Sequence, residues 1–314
     1  MRPDLPFRNL MFQGSIAALI TPMDAQGELD VASWRQLLRW HLAQGSNGIV
    51  VAGTTGESAT LEDHEFAQLL SIALEELKGK IPVLAGTGTN ATRSSVERTR
   101  QAEALGADGA LIVTPYYNRP SQEGLAAHYR HIANAVELPI VLYNVPLRTG
   151  VDLHPKTVAE LAQIEHIVAL KEAYASPERL PQLQSLVSDD FIILSGDDES
   201  CANTIAQGAD GVISVVANAA PAAMAQLAET ARAAFRHDNT ASNQAAPDYA
   251  TLNRQLKPLY ALAALGGNPT GIKWCLWQSQ RIQRGIRLPL TWLHPDLEST
   301  AQALYRDVTP LVTR

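Results

Sequence analysis

Gly106-Ala-Asp-Gly-Ala-Leu-Ile-Val-Thr-Pro115 carries the pattern that decides the fold: a glycine that ends a helix, an acid, a second glycine, then a short apolar run that stops at Thr-Pro. The same arrangement returns as Gly208-Ala-Asp-Gly-Val-Ile-Ser214. Each marks a helix turning into a buried strand. Working outward, further Val- and Ile-rich runs bounded by Gly, Pro, Asp or Asn cover 14–20, 48–53, 81–87, 139–145, 167–173 and 191–196. With 109–115 and 211–218 they make eight strand candidates, and their continuous apolar character suits parallel strands covered on both faces. Amphipathic stretches separate them, such as 31–42, with Trp34, Leu37, Leu38 and Leu42 at helical spacing, and 61–77. Eight successive βα units predict a (β/α)8 TIM barrel over 13–235, with an N-terminal extension over 1–12 and additional C-terminal helices over 236–314. Within that last region the polar, Ala/Asn-rich stretch 236–248 reads as a solvated loop, and helices are expected over about 249–265, 272–280 and 295–307. A dinucleotide-binding doubly wound sheet fits poorly, because Gly86-Thr-Gly88 is the nearest approach to G-x-G-x-x-G and lacks its third glycine.

The 25 Lys plus Arg against 32 Asp plus Glu give a net charge of −7, which offers no basic footprint for nucleic acid or an anionic membrane. Small-molecule chemistry is the expectation. Cys201 and Cys275 lie far apart and outside any Cys-x-x-Cys or Cys/His cluster, so neither a disulfide framework nor a metal site is indicated. Reduced thiols and a cytoplasmic location follow, since 1–12 holds no signal-like apolar run and no stretch approaches the ~20 apolar residues of a membrane span.

In such a barrel the site lies at the carboxyl ends of the strands, where the apolar runs stop. Those ends read Gly53-Thr-Thr-Gly-Glu57, Thr114-Pro-Tyr-Tyr117, Tyr143-Asn-Val-Pro146 followed by Arg148, Lys171-Glu172 and Ser195-Gly-Asp-Asp198. Lys171 stands out because it interrupts Ile167-Val-Ala-Leu170, where a long cation has no packing role. It is either a lysine snorkelling at the rim or paired with Glu172 or Glu57, or a desolvated amine able to attack a carbonyl; period-two alternation, which puts Lys171 and Glu172 on opposite faces, weakens the Glu172 pairing. Imine chemistry needs proton traffic, for which Tyr143, Thr54 and Tyr117 are available, although a tyrosine at a strand end is often a packing residue. Gly53-Thr-Thr-Gly56 offers hydroxyls and approachable backbone N–H groups as a carboxylate cradle. Arg148 serves either as a surface charge or as a carboxylate clamp.

Taken together, Gly53-Thr-Thr-Gly-Glu-Ser58, Thr114-Pro-Tyr-Tyr-Asn-Arg-Pro120, Tyr143-Asn-Val-Pro-Leu-Arg-Thr-Gly150, Leu170-Lys-Glu-Ala173, Ser195-Gly-Asp-Asp198 and Gly211-Val-Ile-Ser-Val215 resemble, in order and spacing, the dihydrodipicolinate synthase family over about 12–307. The resemblance implies a lyase of lysine and diaminopimelate biosynthesis that joins pyruvate to L-aspartate 4-semialdehyde through a Schiff base on Lys171. It implies a proton relay of Tyr143, Thr54 and Tyr117, the last reaching in from a neighbouring subunit of a homotetramer built from dimers. Thr54 and Thr55 would hold the pyruvate carboxylate, Arg148 the semialdehyde carboxylate, and Gly196 and Ile213 the wall, with no metal or organic cofactor. A lysine effector site would fall on Ser58, Ala59, Asp63, Phe66, Asn90, Ser94 and Tyr116. Asp63 and Phe66 stand where regulated relatives often carry His, and Ser94 where they carry Glu, so weak or absent lysine inhibition is expected. Gly266-Gly-Asn-Pro-Thr-Gly-Ile-Lys273 resembles the family's Glu-x-Asn-Pro-x-Pro-x-Lys without its acid and second proline, which leaves the packing of the C-terminal helices open. Two other readings share these residues: a different pyruvate-dependent aldolase, such as an N-acetylneuraminate lyase or a keto-deoxy sugar acid aldolase or dehydratase, and a catalytically silent paralogue acting as a scaffold.

Overall fold

The computed structural model describes residues 12–174, 176–240 and 248–312, and of 237–240 the backbone only. Eight parallel strands, β1 (Gly14–Ala18), β2 (Gly48–Val51), β3 (Val83–Gly86), β4 (Gly109–Val113), β5 (Ile140–Asn144), β6 (Ile167–Glu172), β7 (Ile192–Ser195) and β8 (Gly211–Ser214), close in sequence order into a barrel. The closing seam pairs Gly14 with Gly211. A Cβ on Gly211 would lie 2.1 Å from the Gly14 carbonyl oxygen, so only glycine lets the first and last strands meet this closely. Several strands stop earlier than their apolar runs: residues 215–218, read as part of the eighth strand, leave it in a short 3-10 turn (Val216–Asn218). Apolar composition marks burial, and the turn is as buried as the strand before it.

The repeated Gly-Ala-Asp-Gly does the same work twice. Gly106 and Gly208 take positive φ where the preceding helices end, and the carboxylates of Asp108 and Asp210 accept the Val83 and Ile193 N–H groups, each at 2.9 Å. Each acid thus pins the strand before its own. Gly86-Thr-Gly88 is packing rather than a phosphate loop: Thr99 donates to the buried Thr87 hydroxyl at 2.8 Å, and a Cβ on Gly88 would meet the Val113 nitrogen at 2.4 Å.

Strand alternation separates two cores. Inside the barrel, Ile16, Val50, Leu84, Leu111, Val141, Ala169 and Leu194 pack together over Phe12, which plugs the amino-terminal end. Outside, Leu142 and Leu170 face the helical layer. That layer comprises α1 (Val31–Ala43), α2 (Asp63–Leu77), α3 (Thr92–Leu105), α4 (Gln122–Ala133), the single turn α5 (Pro146–Thr149), α6 (Pro155–Leu161), α7 (Arg179–Gln184), α8 (Cys201–Ala206) and α9 (Pro221–Thr240). Local signals start these helices: the Asp30 side chain caps α1 through Ser33 N–H, and Glu62 with Glu65 form a capping box on α2.

Helix α9 runs to Thr240, which corrects the loop expected from 236; helical hydrogen bonds are made by the backbone, so polarity without a period does not end a helix. Residues 241–247 of that loop, and 1–11 of the N-terminal extension, lie outside the described residues. Three further helices, α10 (Tyr249–Ala264), α11 (Thr270–Gln278) and α12 (Pro295–Val312), follow. Both cysteines are buried and unbonded, and burial pushes the Cys275 thiol up to about 12. Among the described residues no helix is long and apolar enough to cross a membrane.

Candidate active site

A cavity of about 640 Å³ opens at the carboxyl ends of the strands and is lined by Thr54, Thr55, Tyr143, Arg148, Lys171 and Gly196, among others. Lys171 is 5% exposed. Its inward direction follows from alternation, because Ala169 belongs to the inner core while Leu170 belongs to the outer one. Tyr143 is its register partner on β5, and the Lys171 Nζ stands 4.2 Å from the centre of the Tyr143 ring. The alternative partners proposed for this lysine are engaged elsewhere. Glu172 points outward to Arg179 at 2.8 Å, and Glu57 forms a buried ion pair with Lys273.

The Gly53-Thr-Thr-Gly56 segment leaves β2 in a tight turn closed by the Gly56 and Ser58 N–H groups on the Gly53 carbonyl and by the Glu57 N–H on the Thr54 carbonyl. The amides of Thr54 and Thr55 are not donors in that turn. Packing explains the last glycine of the motif, since a Cβ on Gly56 would sit 2.9 Å from the Leu19 carbonyl oxygen. Thr55 is buried, and its hydroxyl accepts a hydrogen bond from the Asn268 side chain at 3.0 Å. Arg148 projects from α5 with its side chain exposed at the mouth.

In Ser195-Gly-Asp-Asp198 the acids organise backbone. Asp197 accepts from the Ser200 N–H at 2.9 Å and hydroxyl at 2.6 Å. Asp198 accepts from the Val215 and Val216 N–H groups at 2.9 and 3.1 Å, and burial raises its carboxyl above the usual carboxylate range. Gly196 lines the cavity and donates its N–H to the Glu172 carbonyl at 2.7 Å, while a Cβ there would meet the Ala173 Cβ at 2.8 Å. Ile213 is buried in the inner core with Tyr143 and Val145 and, unlike them, does not line the cavity.

Tyr117 is not brought to Lys171. It is 89% exposed, holds a left-handed backbone at φ 76, and anchors through its N–H to the Thr149 carbonyl at 3.3 Å. The seven effector positions are also divided. Ser58, Ala59 and Tyr116 line a second cavity of about 490 Å³ that shares Thr54, Val145, Arg148 and Asn268 with the first. Asp63 lies outside it, paired at 3.2 Å with Arg98, a residue that lines the cavity and whose guanidinium lies 5.3 Å from the centre of the ring of the buried Phe66. Asn90 gives its carbonyl to the Asn118 side chain at 2.9 Å, and Ser94 is exposed.

Asn268 and Lys273 escaped the sequence reading as site-building residues. Lys273 is wholly buried and also donates to the Gly285 carbonyl at 3.0 Å, while the second oxygen of Glu57 accepts the Arg287 N–H at 3.0 Å. Burial outweighs the Glu57 carboxylate and pulls the Lys273 ammonium below its ordinary range. The altered Gly266–Lys273 motif therefore still ties the C-terminal helices to the end of β2. Where the second proline is missing, Gly271 allows an approach that a Cβ would block at 2.1 Å from the Leu262 carbonyl oxygen. The missed signal was an amide and a lysine in an otherwise small, apolar run.

A closed parallel barrel with a buried lysine and a tyrosine facing each other across neighbouring strand ends defines the class: a (β/α)8-barrel lyase. The chain belongs to the dihydrodipicolinate synthetase family, whose model matches residues 11–307. It is 46% identical over 283 residues to the 4-hydroxy-tetrahydrodipicolinate synthase of Methylococcus capsulatus, covering 90% of this chain and 94% of that protein. The Pseudomonas aeruginosa protein of the same name is 46% identical over 285 residues, covering 91% and 94%. The dihydrodipicolinate synthase of Acinetobacter baumannii, solved in complex with pyruvate, superposes with a TM-score of 0.89 at 42% identity over 95% of this chain and 99% of that one.

Proposed function

We propose that this chain is a cytoplasmic 4-hydroxy-tetrahydrodipicolinate synthase that joins pyruvate to L-aspartate 4-semialdehyde. The observation that carries the reading is Lys171, nearly dry at the floor of the mouth and beside Tyr143. Its amine attacks the pyruvate keto carbon, and the carbinolamine loses water to give an imine. A methyl proton then leaves, and the enamine carbon bonds to the aldehyde carbon of the second substrate. Attack of that substrate's amine on the imine carbon closes the ring and expels Lys171. Tyr143 and Thr54 carry protons without adding charge to the cavity, the Thr54 and Thr55 amides and hydroxyls hold the pyruvate carboxylate, and Gly196 keeps the wall open. Arg148, at the rim and without a partner among the described residues, clamps the carboxylate of the semialdehyde. Because the lysine itself provides the electron sink, neither metal nor organic cofactor enters these steps.

The exposed Tyr117 completes the relay in a second subunit's site, within a homotetramer built from dimers. Its exposure and fixed backbone turn support that placement. Incubation with pyruvate and borohydride, followed by mass measurement, tests the nucleophile: the wild-type chain gains a reduced pyruvate adduct and Lys171→Ala does not. Steady-state assays with the semialdehyde against sialic acid then fix the acceptor, and turnover of sialic acid alone would overturn the assignment.

A further inference from the structure

Behind Tyr143 and Lys171, on the outer face of the barrel, the ends of β5 and β6 are tied by polar groups that take no part in the steps above. Tyr143 and Lys171 are register partners, and so are Asn144 and Glu172 one residue on. Alternation turns the first pair into the cavity and the second pair outward. The Asn144 side-chain nitrogen donates to Glu172 Oε1 at 3.0 Å and to Asp152 Oδ1 at 2.7 Å, and its oxygen accepts the Leu153 N–H at 3.0 Å. Arg179, the first residue of α7, closes the ring. Its Nε donates to Glu172 Oε2 at 2.8 Å, and its Nη2 to Asp152 Oδ1 at 2.6 Å and to the Leu153 carbonyl at 2.7 Å. The side chains of Arg179 and Glu172 are 7% and 8% exposed. One guanidinium thus faces two carboxylates, the buried Glu172 and Asp152 at 26% exposure, and for the buried pair well-packed apolar residues would serve stability at least as well.

We infer that Arg179 is a positioning residue: through Glu172 and Asn144 it fixes the ends of β5 and β6 against each other, and so sets Lys171 and Tyr143 at the separation that imine formation requires. The inference rests on Lys171 being the nucleophile. A guanidinium fork held by both acids resists sliding of one strand end past the other, which a single neutral hydrogen bond would not. Displacement of a reacting group by about 1 Å costs on the order of 100-fold in rate. The proposed pyruvate cradle sits at the end of β2, away from β5 and β6 in the strand order, and none of the ring's hydrogen bonds reaches it.

The test is a double-mutant cycle on the rate of imine formation, read by timed borohydride trapping in a single turnover, with the KM taken as the pyruvate concentration that half-saturates that rate. Arg179→Met is expected to slow imine formation by about 10- to 100-fold with the KM changed by less than about twofold. In a Tyr143→Phe background the same substitution is expected to slow it by less than about threefold, because the alignment it disturbs has already been lost. If Arg179→Met melts too low for assay, Arg179→Lys, which keeps the charge and removes the fork, carries the same cycle. Equal losses in both backgrounds, or a rise in KM that accounts for the loss, would overturn the positioning role while leaving the wild-type adduct intact. A wild-type chain that takes no adduct would overturn the nucleophile, and the positioning role with it.

Discussion

Replacing Lys273 by methionine removes the ammonium from a pair whose two side chains are 0% and 1% exposed. The carboxylate left behind keeps the Arg287 N–H as a donor but loses its counter-charge, and the Gly285 carbonyl loses its partner. Glu57 also holds a left-handed backbone at φ 58, a conformation that costs about 1–2 kcal/mol outside glycine and that this anchoring sustains. Breaking a buried ion pair from one side costs about 3–5 kcal/mol, and at about 2–4 °C per kcal/mol the melting temperature should fall by roughly 6–20 °C. Thermal unfolding followed by circular dichroism at fixed protein concentration measures it. Adding Glu57→Gln to Lys273→Met removes the stranded charge and should restore at least about 1 kcal/mol. A single variant melting within about 2 °C of wild type, or a double variant as unstable as the two losses summed, would refute the reasoning.

Arg148→Ala should raise the KM for the semialdehyde by about 10- to 100-fold, the worth of a charged hydrogen bond of about 1.5–3 kcal/mol, with the pyruvate KM unchanged in steady-state kinetics. L-lysine should fail to inhibit at submillimolar concentration, because Phe66 is buried, Ser94 offers no carboxylate for an ammonium and Asp63 is already paired with Arg98; strong inhibition in an activity titration would contradict this. Burial lowers the buried His41 to about 3 and His128 to about 4. Below pH ~6.5 the unfolded chain takes up protons that both folded histidines refuse, so stability present above that pH should fall by about 1.4 kcal/mol per unit for each as pH drops toward 4. Urea midpoints compared near pH 7 and pH 5, in the wild type and in His41→Gln, measure the slope.

The barrel was legible because its signals are local and repeated. Gly-Ala-Asp-Gly states a helix end and a strand start, and the acid pins the preceding strand both times it occurs. Lys171 was legible for the opposite reason, as a cation breaking an apolar run whose alternation fixed its direction. What stayed hidden depends on contacts distant in sequence. Nothing near Asn268 announces a partner 213 residues away, and the pairing of Glu57 with Lys273 spans 216. The extent of α9 was hidden too, because a polar stretch without a period reads as loop while backbone hydrogen bonds continue regardless.

The bond from Asn268 to Thr55 also bears on how the protein is made. A nascent chain can lay down all eight strands and close the seam at Gly14 and Gly211 while the residues that brace β2's end are still unsynthesised. Until residues 268–273 emerge from the ribosome, the threonine turn lacks its brace and the Glu57 carboxylate its counter-ion. The strands of the barrel are thus all made before the groups that hold the end of β2 in place.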